Sequence, residues 1–207
     1  MKPIPYPGLR PFQADESHLF FGREEHTSQL IEKLGNTHFI AVVGTSGCGK
    51  SSLVRAGLLA DLETGFLIQA GARWQIAECR PGNHPLTSLA EAFLTKTAIG
   101  PEYSQHFSDH TEAQTFLQAS LRRGPFSVCE LLTEIHFPEK TNLLILVDQF
   151  EEIFRSPQEK NEIVAFVELL LTSCSKHAQV YVVITMRSDF LGDCALYYGL
   201  SEAINQG

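Results

Sequence analysis

The sequence has little that would mark an exported or membrane-spanning protein. None of its apolar runs approaches the ~20 residues that span a bilayer, and its proline-broken beginning lacks the apolar stretch of a secretion signal. The five cysteines are odd in number and include no CxxC pair, which is typical of proteins from a reducing compartment. We therefore expect a cytoplasmic protein without a membrane segment.

Positive charge is scarce as well. Sixteen lysines and arginines oppose 24 aspartates and glutamates, so the formal net charge is -8. This balance disfavours the broad cationic surface that binds nucleic acid or anionic lipid, although it leaves room for a small local basic site. A chain of 207 residues can bury one substantial core, and a second domain is not expected.

The chain opens with a proline-rich stretch. Its prolines stand at Pro3, Pro5, Pro7 and Pro11. They predict an extended arm over residues 1–22, followed by a single domain over residues 23–207. A helical pattern begins at Arg23, and Gly35 is the predicted C-terminal stop of that helix.

Apolar runs then alternate with helical patterns along the chain. Strands are predicted over residues 38–43, 73–79, 143–147 and 180–185. Helices are predicted from residue 53 onward, over 86–98 and over 159–174, with a loop and one or two helices over 100–125. Strands that alternate with helices predict a parallel sheet, here in a three-layer α/β fold.

The segment after the first predicted strand has the pattern GxxxxGK[ST], in the strand–loop–helix context that a phosphate-binding loop requires. Its glycines allow the backbone N–H groups to point at phosphates, and the following helix adds its positive N-terminal dipole. We expect Lys50 to reach the β- and γ-phosphates of a bound nucleotide and the Ser51 hydroxyl to coordinate Mg²⁺. The predicted nucleotide-binding residues of the loop are Gly44, Thr45, Ser46, Gly47, Cys48, Gly49, Lys50, Ser51 and Ser52. With this loop, the predicted fold is of the P-loop NTPase type.

Acidic residues follow the apolar run 143–147. Asp148 stands at the carboxyl end of that predicted strand, where open α/β sheets bind ligands, and is expected to hold Mg²⁺ directly or through water. One of the next two acids, Glu151 or Glu152, is expected to orient or deprotonate the attacking water, and Glu152 is favoured. The alternative for these two glutamates is a solvated helix start, where acids suit the helix dipole.

A basic residue follows the last predicted strand. Arg187 would lie beside the γ-phosphate, where a cation stabilises transition-state charge or reports the loss of that phosphate. The alternative is a surface ion pair with Asp189.

Four segments occur in a fixed order: FFGRE, GTSGCGKSS, LILVDQFEEIF and ITMRSDF. With PYPGLRPF, SLVRAGLL and RPGNHPL, they make the chain resemble, nearly end to end, the novel STAND NTPase family of signal-transduction ATPases, which is related to the NACHT and AAA+ groups. The resemblance implies that Phe21, Gly22, Arg23 and Glu24 lie over the adenine side of the nucleotide. It also implies that Arg187 is a sensor and that the acids after residue 147 form an extended Walker B cluster.

The resemblance further implies a sheet in the order 5-1-4-3-2. Only four strands are predicted in the present sequence, so we expect the chain to stop before the fifth strand, the helical lid and a repeat sensor domain. The first strand would then have an unpaired edge unless another segment covers it.

The motifs and the resemblance together predict a signalling switch in which ATP and Mg²⁺ bind and slow hydrolysis to ADP resets the active state. The implied partners are a downstream sensor or repeat domain and, on activation, further copies of the same chain. Two alternatives remain open: an assembly scaffold that binds ATP with little hydrolysis, and a P-loop small-molecule kinase. The preference for adenine comes from the resemblance alone.

Overall fold

A parallel sheet forms the centre of the computed structural model, which describes residues 8, 10–65, 73–155 and 160–207. Its strands are β1 (Phe39–Gly44), β2 (Arg73–Cys79), β3 (Thr141–Val147) and β4 (Val180–Arg187). They lie in the order β1-β4-β3-β2, and every neighbouring pair is parallel. The predicted α/β class is confirmed, and the order agrees with the 1-4-3-2 part of the implied sheet. Within the described residues the sheet has these four strands.

Helices connect and cover the strands. The helix after the phosphate loop, α2, has three consecutive parts: an α-helical turn (Lys50–Ser52), a π-helical segment (Leu53–Leu59) and a final α-helical turn (Ala60–Glu63). The others are α1 (Glu24–Thr37), α3 (Pro85–Phe93), α4 (Gly100–Tyr103), α5 (His110–Leu121), α6 (Ser127–Glu134), α7 (Lys160–Lys176) and α8 (Leu200–Gln206). Short 3-10 helices are Ala14–Leu19, Ser104–His106, Phe150–Phe154, Ser188–Phe190 and Asp193–Leu196. Among the described helices, none has both the length and the apolarity that a bilayer span needs.

Successive strand residues point to opposite faces of the sheet, and each face has its own core. In β3, Leu144 and Leu146 pack with residues of α1 and α2, while Leu143, Ile145 and Val147 belong to the larger core that includes residues of α3, α5, α6 and α7. Full burial of a leucine or phenylalanine side chain stabilises the fold by about 1.5–3 kcal/mol. Both faces of β3 and β4 are therefore buried, as their continuous apolar runs predict.

The arm before residue 23 is not wholly extended. Residues 1–7 and 9 lie outside the described residues, but Ala14–Leu19 form a 3-10 helix, so the expectation of an extended chain is wrong there. The prolines end at Pro11 and do not restrict these residues. Glu16 stabilises the turn because its Oε2 accepts a hydrogen bond from the backbone N–H of Gln13, at 3.0 Å.

Helix α1 extends past its predicted stop. Gly35 lies inside the helix, which ends at His38 in the left-handed conformation, with a φ of 59°. Tertiary contacts hold this histidine: its ring stacks on Tyr181, with 4.1 Å between the ring centroids, and its Nδ1 lies 3.2 Å from the carbonyl oxygen of Val180. The stop is thus set by contacts with β4 rather than by the glycine.

Two further differences concern the helices. Helix α3 ends at Phe93 rather than at residue 98, because the chain turns back onto the outer edge of β2, where Ile76 N donates to the carbonyl oxygen of Thr97 at 2.6 Å. Helix α6 was not predicted. The helix predicted over 159–174 is confirmed from residue 160 onward as α7, and residue 159 lies outside the described residues.

The edge of β1 is partly covered. The end of α8 lies against it, so closely that a Cβ on Gly207 would come within 2.2 Å of the carbonyl oxygen of Phe39. Lys33 Nζ of α1 donates to the carbonyl oxygen of Gly207 at 2.8 Å and ties this end in place. The expectation of an unpaired edge is therefore correct for strand pairing but not for burial.

Candidate nucleotide-binding site

The predicted phosphate loop connects the end of β1 to the first turn of α2. Gly47 and Gly49 have φ angles of 74° and 89°, a region where glycine carries no steric penalty. Lys50 folds back over the loop, and its Nζ donates to the carbonyl oxygens of Gly44 at 3.0 Å and Thr45 at 2.8 Å. The lysine charge is therefore held above the loop, where a phosphate would compete with these carbonyls for it.

Below the loop lies the buried carboxylate of Asp148. Its Oδ1 accepts hydrogen bonds from the hydroxyls of Ser51 at 2.7 Å and Thr185 at 2.6 Å. Its Oδ2 accepts from Arg55 Nη2 at 3.0 Å, and Arg80 Nη2 lies 3.7 Å away. Burial alone would raise the pKa of Asp148, but the two hydroxyl hydrogen bonds and the charges of Arg55 and Arg80 outweigh it, so the pKa lies below its ordinary value. The carboxylate is thus held ionised.

Arg55 joins three elements. It projects from the π-helical segment of α2, is buried, and bonds both to Glu78 near the end of β2 and to Asp148 after β3. The hydrogen bond from its Nε to Glu78 Oε1 is 2.8 Å long. A guanidinium with two carboxylate partners satisfies the condition under which a buried charge is tolerated.

A cavity of about 500 Å³ opens above the phosphate loop. Four cationic side chains and one carboxylate line it, together with loop residues: Arg10, Lys50, Arg80, Arg187 and Glu151. This is the small local basic site that the acidic composition leaves room for. A concave site with converging cations and backbone N–H groups suits a polyphosphate.

The two glutamates after Asp148 occupy different places. Glu151 is buried, lines the cavity, and accepts a hydrogen bond at its Oε2 from the backbone N–H of Arg187 at 3.3 Å. Glu152, which the sequence favours, accepts instead from the backbone N–H of Gly82 in the turn after β2, at 3.2 Å. Both lie in the 3-10 helix Phe150–Phe154 rather than at a solvated start of an α-helix.

Arg187 ends β4 at the cavity wall. Its Nη2 bonds to Asp189, and its Cζ lies 5.8 Å from the ring centroid of Phe190. Its Nε is buried without a hydrogen-bond partner in the described part of the chain. Both sequence interpretations therefore describe part of the geometry, since the side chain faces the cavity and is also ion-paired.

An aromatic recess of about 400 Å³ adjoins the loop on its other side. It is lined by Phe12, Phe20 and Phe21, and Phe21 is 77% exposed. Arg23, which also lines the recess, donates from Nη2 to the carbonyl oxygen of Cys48 at 3.3 Å. Gly22, with a φ of 82°, makes the bend that brings this segment to the loop. The FGRE segment thus lies beside the phosphate loop.

The oxygen atoms at Ser51 and Asp148 fit Mg²⁺. A hydroxyl and an ionised carboxylate 2.7 Å apart are hard ligands, and Mg²⁺ in nucleotide sites takes few protein ligands because phosphates and water supply the others. Among the described residues, no group of three or more His, Cys, Asp or Glu side chains could hold a metal by itself. The residues present therefore suit a metal that arrives with a nucleotide.

Several residues of this site were not found from the sequence: Arg10, Phe12, Arg55, Glu78, Arg80 and Thr185. Two of them carried a usable signal. Arg55 is a single charge inside the apolar run LVRAGLL, and Arg80 follows directly on the strand 73–79 at the edge where ligands bind. The others depend on which segments pack together.

Comparison with known proteins agrees with the family resemblance and the fold. Residues 5–207 match the family model described as Novel STAND NTPase 1. Comparison with curated proteins returns no match.

Two solved structures match over most of the chain, and the first of them is similar in fold. The ORC2 protein of Aeropyrum pernix, solved in ADPNP–ADP complexes, has a TM-score of 0.56 and 13% identity, over 97% of this chain and 48% of that one. A Walker-type ATPase of Pyrococcus abyssi has a TM-score of 0.49 and 18% identity, over 89% and 49%. The chain spans about half the length of these proteins.

Proposed function

The chain belongs to the novel STAND NTPase 1 family, and from this premise we propose that it is the ATP-binding, Mg²⁺-dependent ATPase domain of a signalling switch. The single observation that carries the proposal is the hydrogen bond between Ser51 Oγ and Asp148 Oδ1 beneath the phosphate loop. It joins the predicted metal-binding hydroxyl to the predicted metal-binding carboxylate in a cavity lined by cations.

Binding is assigned to the loop and the residues around it. Backbone N–H groups of residues 44–52 surround the β-phosphate, and Lys50 Nζ leaves the loop carbonyls for the β- and γ-phosphates. The base lies in the aromatic recess beside Phe21, Gly22 and Arg23, and the recess favours a flat, apolar ring. Ser51 and Asp148 hold Mg²⁺, which neutralises charge on the phosphate oxygens when bound.

Hydrolysis requires a carboxylate near the γ-phosphate. We assign this role to Glu151 rather than Glu152, because Glu151 lines the cavity while Glu152 bonds to the turn after β2. Glu151 accepts a proton from the attacking water, the water oxygen bonds to the γ-phosphorus as the bond from that phosphorus to the bridging oxygen breaks, and ADP and phosphate form. Arg187 stabilises the charge that develops on the transferring group and, once phosphate has left, returns to Asp189.

The switch role rests on family membership. A γ-phosphate that holds Lys50 and Arg187 together would order the segment after β4, and hydrolysis would release it. A downstream sensor or repeat domain and self-association on activation belong to the same proposal. An assembly scaffold would share the binding step but not the hydrolysis, and a kinase would pass the phosphate to an acceptor.

Calorimetry with ATP, ADP and GTP in the presence of Mg²⁺ tests the binding step. Lys50→Ala should lower ATP affinity by roughly 100-fold or more, since each charge-assisted contact contributes about 1.5–3 kcal/mol. Lys140→Ala is the matched control. Lys140 is exposed and lies just before the amino end of β3, whereas the phosphate loop lies at the carboxyl ends of the strands. Equal binding by wild type and Lys50→Ala would refute the phosphate-loop assignment.

Phosphate release without an acceptor separates the alternatives. Glu151→Gln should lower the rate by about 10²–10⁴-fold while ATP binding persists, and Glu152→Gln should lower it less. Wild-type protein that binds ATP but releases no phosphate would support a scaffold or a kinase instead.

A further inference from the structure

The turn after β2 is fastened to the end of β3. Asp148 N donates to the carbonyl oxygen of Cys79, the last residue of β2, at 2.9 Å, and Gly82 N donates to Glu152 at 3.2 Å. Arg80 lies between these two anchors. Its backbone is therefore held in a fixed position relative to the predicted metal-binding carboxylate, and its side chain lines the 500 Å³ cavity with Lys50 and Ser51.

Arg80 is the least engaged of the cations in this cavity. Arg10 bonds to Glu16 and Arg187 bonds to Asp189. Lys50 bonds to two loop carbonyls. Arg80 makes no hydrogen bond within the described residues; its Nη2 lies 3.7 Å from Asp148 Oδ2, and its side chain is 54% exposed.

Asp148 does not need Arg80 as a counter-ion. Ser51, Thr185 and Arg55 already satisfy its two oxygens with hydrogen bonds of 2.6–3.0 Å. A second guanidinium at this carboxylate is surplus positive charge, and it faces the space above the phosphate loop. Such a charge suits an incoming anion, and the planar fork of a guanidinium can bind two phosphate oxygens at once.

We infer that Arg80 binds the terminal phosphate of ATP and so distinguishes ATP from ADP, which makes it a catalytic residue supplied by the turn after β2. This inference rests on the proposed function. During transfer, the same contact would stabilise the negative charge on the oxygens of the phosphoryl group that is transferred to water.

The test compares nucleotides rather than activity alone. Calorimetry with Mg²⁺ and either ADP or a non-hydrolysable ATP analogue is carried out on wild type, Arg80→Ala and Arg80→Lys. Arg80→Ala should lower the affinity for the ATP analogue by about tenfold or more and the affinity for ADP by less than about twofold, since only the analogue has a γ-phosphate. Arg80→Lys keeps the charge but loses the planar guanidinium, so its affinity for the analogue should lie between those of wild type and Arg80→Ala.

Arg73→Ala is the matched control. Arg73 is an exposed arginine at the other end of the same strand, so its loss should change neither affinity. Thermal unfolding shows whether each variant is folded. If Arg80→Ala does not fold, the comparison of the two nucleotides is made with Arg80→Lys.

Equal weakening of both nucleotides by the Arg80 variants would overturn the inference, because a residue that acts only by pairing with Asp148 affects ATP and ADP alike. Unchanged affinity for both would also overturn it, while the loss of binding in Lys50→Ala would leave the proposed function standing. Wild type that binds neither nucleotide would overturn the proposed function and this inference together.

Discussion

The two layers that flank the sheet differ in what they bury. The layer of α3, α5, α6 and α7 meets the sheet in a large apolar core, and its buried polar side chains, such as Ser127 and Ser173, bond to nearby backbone carbonyls. The layer of α1 and α2 has a smaller core and contains Arg55, which bonds to carboxylates across the ends of β2 and β3. The first layer supports the sheet, and the second also carries charge to the nucleotide site.

This difference shows where stability and function are separable in the protein. The buried charged side chains of the described residues are Arg55, Asp148 and Glu151. All three lie at the carboxyl ends of the strands, next to the phosphate loop. Substitutions in the apolar layer should therefore change stability alone, and substitutions around α2 should change both stability and binding.

The largest expected effect is on stability and comes from the apolar layer. Phe93 of α3 is fully buried, so Phe93→Ala should lower the free energy of unfolding by about 3–5 kcal/mol through lost burial and a new cavity. Nucleotide affinity of the folded variant should not change. Urea unfolding and calorimetry at low temperature measure the two quantities.

Phe116→Ala is the control for this prediction. Phe116 of α5 belongs to the same layer but is 53% exposed and packs on the ring of Phe107, so its loss should cost only about 0.5–1.5 kcal/mol. A change in nucleotide affinity in folded Phe93→Ala would break the proposed separation of the layers.

A smaller loss of stability, joined to a loss of binding, is expected at Arg55. Arg55→Met removes the buried guanidinium and leaves Asp148 without its hydrogen-bonded cation, with only the more distant, exposed Arg80 nearby, which should cost roughly 3 kcal/mol. Affinity for ATP with Mg²⁺ should also fall, because the carboxylate is no longer held toward Ser51. Urea unfolding and calorimetry on the same samples test both effects.

Two further variants sharpen this prediction. Glu78→Gln should cost less than Arg55→Met, since the Glu78 side chain is 35% exposed and water can replace its bond. Arg55→Lys should recover only part of the loss, because an ammonium group does not reproduce the planar fork that spans two carboxylates. If Arg55→Met kept wild-type binding, Arg55 would have only a structural role.

The smallest effect is expected where α1 and α2 approach each other. A Cβ on Gly57 would lie 2.5 Å from Thr27 Oγ1, so overpacking in Gly57→Ala should lower the free energy of unfolding by about 1–3 kcal/mol. The higher helix propensity of alanine offsets up to about 1 kcal/mol of this loss. In a Thr27→Ala background the added methyl group has room, and the cost should largely disappear. Unfolding of the four proteins of this double-mutant cycle gives the coupling, and additive effects would contradict the steric explanation.

Much of the fold could be predicted because its signals are local. Strands β1, β3 and β4 are largely continuous apolar runs, and the phosphate loop is a contiguous motif between a strand and a helix. The wrong predictions concern helix ends that tertiary contacts set. The end of α1 at His38 and the early end of α3 depend on contacts with Tyr181 and with the edge of β2, which no pattern within either helix reports.

The candidate site divides in the same way. By itself, the sequence determined the parallel α/β class, the phosphate loop with Lys50 and Ser51, and Asp148 at the end of a buried strand, because the motif and the strand each lie within one short segment. Only the tertiary structure decided that Arg55 and Arg80 meet Asp148, and that Glu151 rather than Glu152 lines the cavity. These relations arise from the packing of α2 on the sheet and from the register of β2 against β3, and such contacts between distant segments leave no mark in the spacing of residues along the chain.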